Sequence, residues 1–128
     1  MARIVRVHEL GPPEVLRFEE IEVGAPGESE VRIRVEAVGL NRSKAMFRAG
    51  RYPTKPALPT LIGYEACGIV EALGKNVSGF AVGDRVCALP MYPLGQYGVW
   101  GEQAIVPACC MPRPDSARPK PLRSGCSI

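Results

Sequence analysis

The sequence predicts a mainly β domain, a partly open barrel or curled sheet that carries one short helix. Three observations predict it. Fourteen glycines and thirteen prolines divide the 128 residues into short segments bounded by turns. Glu30–Val38 alternates at period two, with Val31, Ile33, Val35 and Ala37 on one face and Glu30, Arg32, Arg34 and Glu36 on the other. A helical signal occurs once, over Ser43–Ala49, with Asn41 or Ser43 as its cap and Gly50 as its stop.

The elements follow in order. Ala2–His8 reads as a strand, Gly11-Pro12-Pro13 turns the chain, and Glu14–Val23 is the hairpin partner. Gly24-Ala25-Pro26-Gly27 makes a second turn ahead of the alternating strand. After the helix, a connection rich in proline (Pro53, Pro56, Pro59) leads to Gly63–Leu73, a strand pattern interrupted by glycines and small residues. Gly63, Gly68 and Gly74 suit bulges or positive φ where strands bend. Gly83-Asp84 reads as a turn, and Asp84–Leu89 and Val99–Val106 as two further strands.

Length and charge narrow the function classes. A chain this long buries about two-thirds of its unfolded surface as one domain. Arg113, Arg118, Lys120 and Arg123 against Asp115 account for the whole net charge of +3, so residues 1–111 are balanced. No basic face with interleaved aromatics points to nucleic acid. No apolar run approaches the roughly 20 residues of a membrane helix, and no signal-peptide core opens the chain, so a cytoplasmic setting is expected. Five cysteines (Cys67, Cys87, Cys109, Cys110, Cys126) form an odd set without CxxC spacing. Reduced thiols are the expectation, although adjacent Cys109 and Cys110 could oxidise or bind a soft metal. His8, in the first strand, reads as a satisfied or exposed side chain. Glu65, among small residues, reads as a buried acid held by backbone donors.

The run Gly63-Tyr64-Glu65-Ala66-Cys67-Gly68-Ile69-Val70, followed by Gly74, Val77, Phe80 and Gly83-Asp84-Arg85-Val86, resembles the signature of the medium-chain dehydrogenase/reductase superfamily. There it lies in the N-terminal GroES-like domain. Pro12-Pro13-Glu14-Val15-Leu16, Val38-Gly39-Leu40-Asn41, Arg48-Ala49-Gly50-Arg51-Tyr52-Pro53, Gly98-Val99-Trp100-Gly101-Glu102 and Val106-Pro107 fall in the same family order. The resemblance runs from residue 2 to about 115.

What it implies is a domain on the substrate side of an oxidoreductase that uses NADPH or NADH. Zinc enzymes of the superfamily place a cysteine at Asn41 and a histidine at Tyr64. Neither replacement is a sound zinc ligand, and the cysteine-rich lobe for a second zinc is missing, so the zinc-free branch of quinone oxidoreductases and enoyl reductases is implied, with no metal. In that branch the residue matching Asn41 lies near the nicotinamide and the one matching Tyr52 faces the cleft. Asn41, Tyr52 and Tyr64 are thus the candidate cofactor-binding residues, and no catalytic residue is assigned. The plainer roles are a helix cap for Asn41 and a packed aromatic for Tyr52. The implied substrate is a small quinone, enone or other carbonyl compound.

The family's Rossmann domain is not represented, because no G-x-G-x-x-G turn occurs. The resemblance also implies that the β-domain is completed by chain returning after the nucleotide domain. Residues 112–128 form a Pro- and Arg-rich tail expected to be disordered. Read one base out of frame, the codons for Lys120–Ile128 permit Glu-Ala-Ala-Ala-Leu-Trp-Met-Gln-Tyr, which resembles the family's continuation. A frameshift that truncates an oxidoreductase is the expectation, and the coding DNA tests it. The alternative function is a non-catalytic β-domain that binds or oligomerises through open sheet edges.

Overall fold

A computed structural model describes residues 1–53, 55, 57–91 and 97–111. The tail, and with it the expectations for residues 112–128, lies outside the described residues. The chain runs β1 (Ala2–Val7), a 3-10 turn (Pro13–Val15), β2 (Leu16–Ile21), β3 (Glu30–Val38) and α1 (Arg42–Arg48). It continues through β4 (Thr60–Leu61), β5 (Ala66–Leu73), β6 (Arg85–Ala88), β7 (Gln103–Pro107) and a final 3-10 turn (Ala108–Cys110). No described helix is long and apolar enough to cross a membrane.

Two open antiparallel sheets result, one in the order β2-β1-β4 and the other β6-β5-β3-β7. The expected hairpin forms, with Ala2 opposite Ile21 and Val7 opposite Leu16. The sheets are stitched at their adjoining edges: Val5 N–H donates to Trp100 O at 2.8 Å, and Glu102 N–H to Arg3 O at 2.8 Å. The expected strand over Val99–Val106 is therefore divided. Its first residues serve the junction, and only Gln103 onward pairs with β3.

β3 shows why the alternation was legible and where it stops deciding. Val31 and Ile33 are fully buried, each such side chain contributing about 1.5–3 kcal/mol. Val35 is half-buried, and Ala37 and Val38 are exposed. β7 pairs with β3 only as far as Arg34 opposite Gln103, so beyond Arg34 that edge of β3 leaves the ladder as its side chains become exposed. β5 follows β3 to Val38, with irregularities after Arg32 and after Val35, the latter opposite Gly68.

The apolar interior falls into two clusters. Val31, Ile33, Val70, Val99, Ala104 and Val106 belong to the first, beneath the larger sheet. The second joins Val7, Val15, Phe47 and Ile62 under α1, and Trp100 packs against both. β4 was not legible in the proline-rich connection. It is two residues long and exists only through pairing with β1, Thr60 opposite Val7 and Leu61 opposite Arg6.

The cysteines correct the expectation of reduced thiols throughout. β5 and β6 pair so that Cys67 and Cys87 stand directly opposite, 4.1 Å apart at Cα, and they are joined as a disulfide. Cross-strand register, invisible in spacing along the chain, makes that pair. Cys109 and Cys110 are free thiols, the first exposed and the second buried. Burial and the neighbouring Cys109 push the Cys110 thiol up to about 11.

Candidate functional site

β3 ends at Val38 and α1 begins at Arg42, and the short link between them faces the segment that leads into β5. Gly39 N–H donates to Glu65 O at 2.8 Å, which locks the two together. Gly39 is needed because the Glu65 side chain lies on it; an added Cβ would come within 2.7 Å of that side chain. Gly63 has φ +89° and lies under Trp100, whose ring a Cβ would strike. These two glycines let Tyr64 and Glu65 meet the start of α1.

Asn41 occupies the N-cap backbone position of α1, with φ −148° and ψ 166°. Its side chain does not cap the helix. Asn41 Nδ2 instead donates to Glu65 Oε1 at 2.7 Å. A cap would need the amide oxygen to accept from a first-turn N–H, and that oxygen is taken by Ser43 and Lys44. Glu65 is half-buried, and its recorded partner is this side-chain amide, which corrects the expectation of backbone donors.

The amide oxygen is held from the other side. Ser43 Oγ–H donates to Asn41 Oδ1, and Lys44 Nζ donates to the same oxygen at 3.3 Å. Ser43 Oγ also lies 3.5 Å from Lys44 Nζ and 3.5 Å from Tyr64 Oη. Because Ser43 spends its single proton on Asn41, the Tyr64 hydroxyl is the donor in that last pair. Asn41 and Tyr64, separated by 23 positions in sequence, thus meet through one serine hydroxyl.

Lys44 is the group that sequence reasoning missed. Its side chain is 1% exposed, and its ammonium lies 2.9 Å from the centroid of the Tyr64 ring. Burial depresses its pKa to about 8, against a weaker opposing pull from Glu65. The signal that could have found it is the spacing Lys44–Phe47, i and i+3 on one helical face, since Phe47 is buried there. A lysine on the inward stripe of a short helix has to find something to do.

Tyr52 sits at the apolar side of the same region. Its ring meets Phe47 edge-on at 6.2 Å and packs on the second cluster, as Tyr64 does. No recorded hydrogen bond ties Tyr52 to the Asn41–Ser43–Lys44–Tyr64–Glu65 network. The structure therefore brings Asn41 and Tyr64 into one polar group and leaves Tyr52 on its aromatic floor. A groove of about 440 Å³ begins at Leu40, beside Asn41 in the chain, and is lined by Ile4, Val5, Phe18, Val38 and Trp100.

His8 lies away from this group and pairs with Glu19. That hydrogen bond, with the nearby Arg6, draws the Glu19 carboxyl below its usual range. Among the described residues, no group of three or more His, Cys, Asp or Glu side chains is placed to hold a metal ion.

The arrangement suits a flat, polar-edged ligand. Asn41 offers an amide at an exposed edge, Tyr64 a phenol on an apolar body, and Phe47 with Tyr52 an aromatic wall. Such a donor set fits the neutral nicotinamide end of NAD(P)H.

Residues 27–115 match the alcohol dehydrogenase GroES-like domain. A quinone oxidoreductase of Pseudomonas aeruginosa is 44% identical over 109 residues, which are 83% of this chain and 33% of that protein. The structure of a Pseudomonas syringae quinone oxidoreductase superposes with a TM-score of 0.78 at 38% identity, covering 88% of this chain and 33% of that one. The Escherichia coli quinone oxidoreductase, solved with NADPH, gives 0.74 at 31% identity, again covering 88% of this chain and 33% of that one. The chain spans about a third of the length of the curated relatives it matches. On that match, and on a fold of two open sheets and a single α-helix among the described residues, the chain belongs to the alcohol dehydrogenase GroES-like domain family of the medium-chain dehydrogenase/reductase superfamily.

Proposed function

We propose that the chain forms the substrate-side wall of an NAD(P)H-dependent oxidoreductase that reduces a quinone, enone or other carbonyl compound. The observation that carries it is the convergence of Asn41, Ser43 and Tyr64 beside an aromatic floor. Quinone oxidoreductase relatives from two Pseudomonas species support it. Bound NAD(P)H supplies a hydride in such a reaction. The chain's own part is orientation: Asn41 holds a polar edge of ligand, Tyr64 lines the site with its ring, and Phe47 with Tyr52 keeps the ligand ring against an apolar face.

Hydride transfer needs both walls of the cleft, and the described residues are read as the substrate-side one. Titration of the full chain with a small quinone, followed by amide and aromatic NMR shifts, tests the reading. Shifts concentrated at Asn41, Tyr52 and Tyr64 are expected, with NADPH binding weakly even at millimolar concentration. Quinone binding that leaves those three residues unmoved would overturn it. NADPH-dependent quinone reduction by the chain, measured against a buffer blank, is expected to be absent.

A second reading, an association module, has its own observation. Phe18 and Leu40 are each 77% exposed on the groove beside Glu36–Val38, where β3 pairs with β5 alone among the described strands. An unpaired edge flanked by apolar side chains accepts another strand. Sedimentation across a hundredfold concentration range tests it; a monomer throughout rules it out.

A further inference from the structure

We propose that Lys44 is the positioning residue of this site, its buried ammonium fixing the Asn41 amide so that an N–H of Nδ2 faces outward to hold an acceptor oxygen of the substrate. The identity of that acceptor rests on the carbonyl-reducing reading above; the fixing of the amide does not.

An asparagine amide can be turned over, exchanging its oxygen for its nitrogen. Here the surroundings choose. Lys44 Nζ and Ser43 Oγ–H both point donors at Oδ1, and Glu65 Oε1 presents an acceptor to Nδ2. Turned over, the amide would set its NH₂ against an ammonium and its oxygen against a carboxylate. Asn41 Nδ2 carries two N–H groups and Glu65 takes one. The second has no recorded partner among the described residues, and Asn41 is an exposed residue. It is the group left to bind.

The charge of Lys44 gives this geometry a direction. Its ammonium is buried, and no carboxylate stands within ion-pair distance of it among the described residues. Its recorded partners are neutral, namely Asn41 Oδ1, Ser43 Oγ and the face of Tyr64. A cation behind the oxygen end of an amide polarises the N–H end outward, which favours an oxygen that gains negative charge. The same ammonium sits on the Tyr64 ring and limits its rotation. One side chain thereby orients two of the three residues that resemblance assigned to the site, Asn41 and Tyr64.

The titratable and charged groups around Lys44 are Glu65 and Tyr64 from the segment before β5, Glu14 from the 3-10 turn packed on α1, and Arg42 and Arg48 from α1 itself. Glu14 is exposed, and Arg48 is engaged by Gly11 O at 2.7 Å. Burial places the deprotonation of Lys44 itself near pH 8.

The test follows the Asn41 side-chain amide and the Tyr64 ring by NMR in the full chain from pH 6.5 to 9.5. In the unaltered chain both are expected to move together, with a midpoint near 8. K44R keeps a charge throughout and is expected to hold the low-pH positions. K44M is expected to shift both signals and abolish the titration. If K44M does not fold, the unaltered chain and K44R still decide. An Asn41 amide that ignores K44M, or titrates alike in all three chains, overturns the proposal. A small quinone then separates the two readings: K44M is expected to weaken its binding about tenfold, with K44R restoring most of it. Equal binding by K44M overturns the acceptor role. Binding by no chain overturns the carbonyl-reducing reading and leaves the amide result standing.

Discussion

The two apolar clusters share Trp100 and differ in what they admit. The one beneath the larger sheet is built from β3, β5, β6 and β7 with apolar residues alone, Val31, Ile33, Val99 and Val106 among those with no exposed surface. The one under α1 is smaller, and the two buried polar side chains of the described residues, Lys44 and Thr60, lie on its elements. Burying a charge without a carboxylate in contact costs stability, and a domain with a complete core elsewhere tolerates that cost. The difference teaches where to look for function: the first cluster holds the fold, and the second holds a charge that the fold alone does not need.

The largest break of this contrast is Ile33→Ala, which opens a cavity in the closed cluster. A loss of about 3–4 kcal/mol in urea unfolding is expected. The disulfide comes next. Cys67→Ser with Cys87→Ser releases a link across 20 positions of chain, and a loss of about 3 kcal/mol is expected by the same measurement.

Lys44→Met sharpens the comparison by going the other way. Replacing a buried ammonium with an apolar side chain of similar volume is expected to leave stability unchanged or raise it by about 1 kcal/mol at pH 7. A large loss would show that Lys44 is structural.

The smallest effect is the pH profile, and its sign follows from the shifts. Lys44 has its folded pKa lowered from 10.5 to about 8, so from about pH 8 upward the unfolded chain binds more protons and stability rises with pH. Cys110 is raised from 9.0 to about 11. Tyr97, through its hydrogen bond to Glu30, is raised from 10.0 to about 12. Both make the folded chain the better proton binder, so stability falls as pH climbs past 9 and then 10. A shallow maximum near pH 9 is expected, on the order of 1 kcal/mol above pH 7. Urea midpoints at pH 7, 8, 9 and 10 measure it, and Lys44→Met removes the rise while keeping the fall.

Much of the frame was legible. The alternation of Glu30–Val38, the turn at Gly83-Asp84 and the hairpin of β1 with β2 are local patterns, written by residues within one or two turns of each other. The motif around Gly63–Val70 located the family, and Asn41 and Tyr64 were singled out through that resemblance. Other features were not legible. Asn41 reads as a helix cap because the cap preference is local, whereas its partner Glu65 arrives from 24 positions away. Lys44 was not singled out at all, because the Tyr64 ring it meets comes from 20 positions further along the chain.

By itself, then, the sequence determined the β class, the order of most strands and the family, since each depends on periodicity, turn chemistry or a motif carried in a contiguous run. Only the tertiary structure decided the two-residue β4, the Cys67–Cys87 pair, the division of Val99–Val106 and the burial of Lys44. These depend on which residue stands across from which once the sheets have formed. A strand's far neighbour is set by packing of the whole chain, and no local pattern records it.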